Sequence, residues 1–96
     1  MAVLVSGEDE NVLETGMHYL KEYMLRLAKT REFQIIGPTS PHVGKIKDIY
    51  RRMLYIKAES YDVLVDVKDR TEQYIEMNRG FTKMKIQFDF NPVKGF

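Results

Sequence analysis

The chain has 96 residues, of which 44% are hydrophobic, 11% aromatic and 30% charged, a composition that fits one globular domain and leaves no room for a cleft between two lobes. Fifteen Lys and Arg against fourteen Asp and Glu give a formal charge of +1, so net charge alone points to no anionic partner. Cysteine is absent, which excludes disulfides, thiolate metal sites and cysteine nucleophiles and is compatible with a reducing cytoplasm.

The first strand is Ala2-Val3-Leu4-Val5, a short apolar run stopped by Ser6-Gly7. Ser6, with Asp9 three residues on, predicts the start of a helix whose first turn holds Glu8, Asp9 and Glu10, where the helix dipole favours negative charge. Leu13, Met17, Leu20, Met24 and Leu27 then recur every three or four residues, so this helix runs to about Lys29 with one apolar stripe. Phe33 to Ile36 predicts a second strand ended by Gly37-Pro38, and a loop with Pro41, His42 and Gly44 follows. The segment before Tyr50 is expected to be extended or looped.

From Tyr50 to Lys57 the residues alternate: Leu54 and Ile56 on one face, Arg51, Met53, Tyr55 and Lys57 on the other, which is the period of a half-buried strand. Tyr50 and Arg52 have the parity of Leu54 and Ile56. Glu59-Ser60 opens a second helix with Leu64, Val67, Thr71, Tyr74 and Ile75 on one stripe, expected to close near Asn78 to Gly80 in a left-handed cap. Met84, Ile86, Phe88 and Phe90 alternate with Lys83, Lys85, Gln87 and Asp89 in a last strand that Asn91-Pro92 stops. The order βαββαβ predicts an α+β, ferredoxin-like sandwich over residues 1–96, with two helices on one face of a four-stranded sheet and the other face open.

Several chemistries fail on their residues. Gly44-Lys45 has Thr39 where a phosphate loop needs its first glycine and Ile46 where it needs a hydroxyl, so no ATP site is expected in this chain. His18 and His42 lack partners at ligand spacing, and no metal or other cofactor is expected. The acids at 8 to 10 are explained by the helix dipole. With no long apolar run, and with acids too early for a secretory signal, a cytoplasmic protein without a membrane span is expected.

Charge is unevenly placed. Residues 24–58 carry eight bases and two acids, whereas residues 1–23 carry five acids and one base. Lys45, Lys47, Arg51, Arg52 and Lys57 are interleaved with Tyr50 and Tyr55; cations neutralise phosphates and aromatic rings stack on bases, so these seven are the candidate contacts to a single-stranded nucleic acid. Lys83, Lys85 and Gln87 extend the strip. The same pattern also serves simply to solvate an exposed sheet and protect its edge.

Ile35-Ile36-Gly37-Pro38, Ser40-Pro41, Lys45-Ile46-Lys47-Asp48-Ile49-Tyr50-Arg51 and Asp89-Phe90-Asn91-Pro92 resemble, in order and spacing, the C-terminal domain of the primosomal replication-restart helicases, the PriA family. The likeness spans nearly the whole chain. It implies a fold like ribosomal protein S10, and a non-catalytic fragment of a larger ATP-dependent 3′ to 5′ DNA helicase whose ATP, magnesium and zinc sites lie elsewhere. It further implies contact with single-stranded or forked DNA, the single-stranded-DNA-binding protein, other primosome proteins and the helicase core of the same chain. The DNA role carries over onto Lys45, Lys47, Tyr50 and Arg51, with Lys57 as the strand-ending base. Ile49, Arg52 and Met53 depart from the family pattern, which usually has a base, an aromatic and Gln there, and these departures weaken the partner-protein site most. A module that braces the helicase core and docks a protein tail, and a free-standing small-molecule sensor, are the competing readings.

Overall fold

The computed structural model describes residues 1–39 and 45–90, with backbone alone at 45 and 46. The elements are β1 (Ala2–Gly7), α1 (Glu10–Leu27), β2 (Gln34–Thr39), β3 (Lys45–Ile46), β4 (Ile49–Lys57), α2 (Tyr61–Met77), a 3-10 turn (Arg79–Phe81) and β5 (Met84–Asp89). The long strands lie side by side in the order β2-β4-β1-β5, all antiparallel. Helix α1 joins β1 to β2 across β4, and α2 joins β4 to β5 across β1. These two interleaved split βαβ units are the expected ferredoxin-like arrangement.

Packing follows the periodicities. Val3 and Val5 of β1 and Leu54 and Ile56 of β4 are fully buried on the helix side, against Leu13, Met17, Leu20 and Met24 of α1 and Val67 of α2. Removing each such side chain from water contributes roughly 1.5 to 3 kcal/mol, which holds both helices to the same face of the sheet. At Gly16 in this layer a Cβ would lie 2.3 Å from Met84 Cε, the movable end of a flexible side chain, so Met84 fills the space that the glycine leaves. The helices also meet directly: the Tyr23 and Tyr74 rings stack 4.2 Å apart, and Tyr23 Oη donates to the Arg70 carbonyl at 3.2 Å.

Some boundaries differ from expectation. Ser6 belongs to β1, and the cap of α1 is Asp9, whose Oδ1 accepts from the Val12 amide at 3.1 Å. Strand β2 continues through Gly37-Pro38 instead of ending there, with an irregularity between Ile36 and Thr39 and a cis peptide bond before Pro38. Gly37 has φ +106° and takes the bend, which a side chain would oppose. The left-handed cap expected for α2 is not formed: Asn78 is extended at φ −120°, and the 3-10 turn carries the chain on and buries Phe81. The segment before Tyr50 pairs as a hairpin, β3 with β4, turned by Lys47 (φ 50°) and Asp48 (φ 66°). His42, Pro41, Gly44 and Asn91-Pro92 lie outside the described residues.

Among the described residues, one buried side chain has an unpartnered polar atom. Thr71 is fully buried, and its Oγ1 has no hydrogen-bond partner. An unsatisfied buried hydroxyl costs more than the methyl that replaces it, so Thr71→Val should raise stability by about 1 kcal/mol. Urea unfolding of the two proteins checks this: the midpoint should rise while the slope stays constant.

An ionic cluster ties the two helical crossovers together. Arg31, at the start of the segment leading to β2, hydrogen-bonds Asp66 of α2, which also accepts from Arg70 Nε at 3.0 Å. The hydrogen bond from Arg31, followed by that from Arg70, holds the Asp66 carboxyl below its ordinary value of 3.8. A lowered carboxylate stabilises the fold above its unfolded value, and that contribution is lost as pH falls through the folded one. Thermal melts of the wild type and Asp66→Asn should therefore differ at neutral pH and converge in acid well below the ordinary carboxylate range.

Candidate nucleic-acid interface

The sheet has one face under the helices and one face without them, and strand parity decides which basic residues reach the second. Register aligns three rows on that open side. Tyr55, Ala2 and Asp89 form one row, with Ile36 beyond Tyr55; Met53, Leu4 and Gln87 form the next, with Thr39 beyond Met53; Arg51, Ser6 and Lys85 form the third. Lys57 lies opposite Gln34 at the far end of β4. Strands stand about 4.8 Å apart, so Arg51 and Lys85 are separated by about 10 Å, and Lys57 lies about 20 Å along β4 from Arg51.

The face is basic at both ends and apolar between. Lys57, Lys85 and Gln87 are exposed, Arg51, Met53 and Tyr55 half-buried, and Ile36 is 52% exposed. Lys83 is exposed just before β5, and Lys47 is exposed in the hairpin turn. Lys45 belongs to β3, opposite Tyr50. A polyanion laid along β4 thus meets Arg51 and Lys57 on either side of Tyr55.

Tyr50 and Arg52, of the seven sequence candidates, do not reach this face, and Lys45, paired with Tyr50, has the parity of Tyr50. Tyr50 packs against the hydrophobic core on the helix side, as its parity with Leu54 requires. Arg52 has the same parity and points at α1: its Nε donates to Glu14 at 2.6 Å, its Nη2 to Glu10 at 3.0 Å and its Nη1 to the Arg51 carbonyl at 2.9 Å. With its side chain only 17% exposed, Arg52 clamps the first turns of α1 onto the sheet. The continuous strip expected from Lys45 to Lys57 is divided between two faces, because successive side chains of a strand point opposite ways.

Ile36 and Asp89 were not among the candidates, although both share this face. Alternation alone places Asp89 in phase with Lys85 and Gln87. Ile36 lies within the expected second strand, and its pairing with Tyr55 is what brings it to this face.

Among the described residues no three His, Cys, Asp or Glu side chains group as a metal site requires. His18 is exposed on α1, its ring edge-on to Tyr19 at 5.9 Å. No helix among the described residues is long and apolar enough to cross a membrane. No protein-family model matches the chain, and no match was found among curated proteins.

Proposed function

We propose that this chain is the non-catalytic C-terminal domain of a PriA-type replication-restart helicase and that its open sheet face engages single-stranded or branched DNA. The observation that carries the reading is Tyr55, on a central strand of that face, with Arg51 and Lys57 on the same side of β4 and Lys85 across β1. Sheets of this topology bind unpaired bases on aromatic side chains of their central strands. Here one ring serves where such sheets often have two or three, so affinity rests heavily on phosphate contacts. The contacts proposed are Arg51, Tyr55, Lys57 and Lys85, with Lys47 at the hairpin turn; Tyr50 and Arg52 serve the fold. ATP, magnesium and zinc belong to other parts of the parent helicase.

Three cations on the face imply that log affinity for a single strand falls with log salt at a slope of about −2, a loss of about twenty-fold between roughly 50 and 200 mM. Titration of labelled oligothymidylate reads this directly. Arg51→Ala should flatten the slope by about 0.7, and Tyr55→Ala should cost about 1 to 3 kcal/mol at any salt concentration. Undetectable binding, or binding indifferent to salt, would refute the proposal.

A second reading is favoured by a separate observation. The middle of the face, Leu4 and Met53 with Ile36 at its border, is apolar, and such surface prefers cover. On that reading the face braces the helicase core and docks the tail of the single-stranded-DNA-binding protein. A tail-peptide titration that gives binding, beside an oligonucleotide titration that gives none, would select it.

A further inference from the structure

We infer that the cavity between the first half of α1 and the end of α2 binds a small, neutral aromatic heterocycle and holds it by a ring N–H. The site is built from the helices and the 3-10 turn, so it stands apart from the open sheet face and from the nucleic-acid reading of that face. Its volume is about 450 Å³, within the range of pockets that hold small molecules. Three rings line it. Phe81 is 6% exposed, Tyr74 is half-buried and Tyr19 is 55% exposed, so aromatic surface runs from floor to rim. The Tyr74 and Phe81 rings lie 5.7 Å apart at 62°, a corner in which a further ring finds offset or edge-to-face contact.

Polar groups then narrow the class. Among the described residues no charged side chain lines the cavity, and an ion entering it would lose water without gaining a counter-charge. Asn78 Nδ2 donates to the Tyr74 carbonyl at 2.6 Å, which fixes the amide and leaves its Oδ1 as an acceptor. That oxygen calls for an N–H. On the α1 side Asn11 and Thr15 add a second amide and a hydroxyl, both neutral. Gly80 keeps the cavity open: its φ is not positive, and a Cβ added there would meet nothing within 4 Å. Neither the backbone nor the packing therefore requires a glycine, and a larger side chain would take up space that the ligand needs.

Indole is the probe, being flat and neutral with one ring N–H. The chain has no tryptophan, so the fluorescence of added indole reports its binding directly. Indole should bind saturably at one site. Its 1-methyl derivative, which lacks the donor, should bind several-fold more weakly, and indole-3-carboxylate and tryptamine, which are charged, about tenfold more weakly or worse. Gly80→Leu should abolish saturable indole binding while keeping the melting temperature of the wild type. Absence of saturable binding to the wild type, or equal affinity for the neutral and charged rings, would overturn the inference. So would tighter binding of a blocked Gly-Trp-Gly peptide than of indole, because the cavity would then take a side chain of a docked peptide. The ligand series uses the unaltered chain, so its result does not depend on how any variant folds. Oligothymidylate titrated beside it keeps the two sites separate, since either can fail while the other stands.

Discussion

Gly37→Ala should lower the stability of the fold by about 3 kcal/mol, seen as a fall of roughly 15 °C in the melting temperature of a domain this size. Gly37 has φ +106°, where a Cβ is opposed by its own backbone. That Cβ would also stand 2.9 Å from the Met53 carbonyl oxygen and 3.1 Å from the Thr39 amide nitrogen. Both obstacles are main chain, so no side-chain rotation relieves them. Strand β2 would have to move away from β4, and with it the Gly37 carbonyl, which accepts from Lys21 Nζ at 2.6 Å and links the strand to α1. Far-UV circular dichroism during heating measures the fall; an unchanged midpoint would mean that the bend in β2 relaxes without resistance.

Arg51→Ala and Arg52→Ala should have opposite signatures, though the two residues are neighbours of the same type. Arg52→Ala removes three hydrogen bonds and leaves Glu10 and Glu14 facing each other at the sheet without their shared cation. A loss of about 2 kcal/mol is expected, below the sum for three charged bonds because both carboxylates are half exposed. Affinity for oligothymidylate, once corrected for the folded fraction, should not change. Arg51→Ala should weaken binding and flatten its salt dependence. Arg51 also has a contact of its own within the protein, so the melting temperature of this variant should fall, but by less than that of Arg52→Ala. Measuring melting and binding on both variants gives four numbers, and any pattern in which Arg52 governs binding would place the nucleic acid on the wrong face.

This pair also shows what was and was not legible in the sequence. Alternation from Tyr50 to Lys57 fixes which of these side chains share a face, and Leu54 and Ile56 in the core identify that face as the helix side. The division of the basic strip was therefore readable in advance. Counting charges along the chain obscured it, since linear neighbours on a strand are not spatial neighbours. The helix stripes and the order of elements were equally readable, because they depend on periodicities that many residues repeat.

The errors fall where a single residue decides the local geometry. Ser6 and Asp9 both suit a helix cap, and the extra pairing of Ser6 with Arg51 and Lys85 in the sheet decides between them. Gly37-Pro38 has the composition of a terminator, yet β2 is an edge strand, where a proline without a donor is tolerated. The β3–β4 turn uses Lys47-Asp48 with both residues at positive φ, a conformation usually announced by Asn-Gly. Nothing in the identity of Lys47 signals it.

The strand order carries a consequence for how the chain matures. β1 is bordered by β4 and β5, so the first of these strands in chain order finds its partners only about fifty and eighty residues later. Such distant pairings must overcome a large loop-closure entropy before they repay it, which slows assembly compared with a helical bundle of equal length. While β5 is missing, β1 presents an unpaired edge of Val, Leu and Ala to the surroundings, the kind of surface that invites intermolecular pairing. Arrival of the last strand therefore both completes the sheet and shields the chain from its neighbours during biosynthesis.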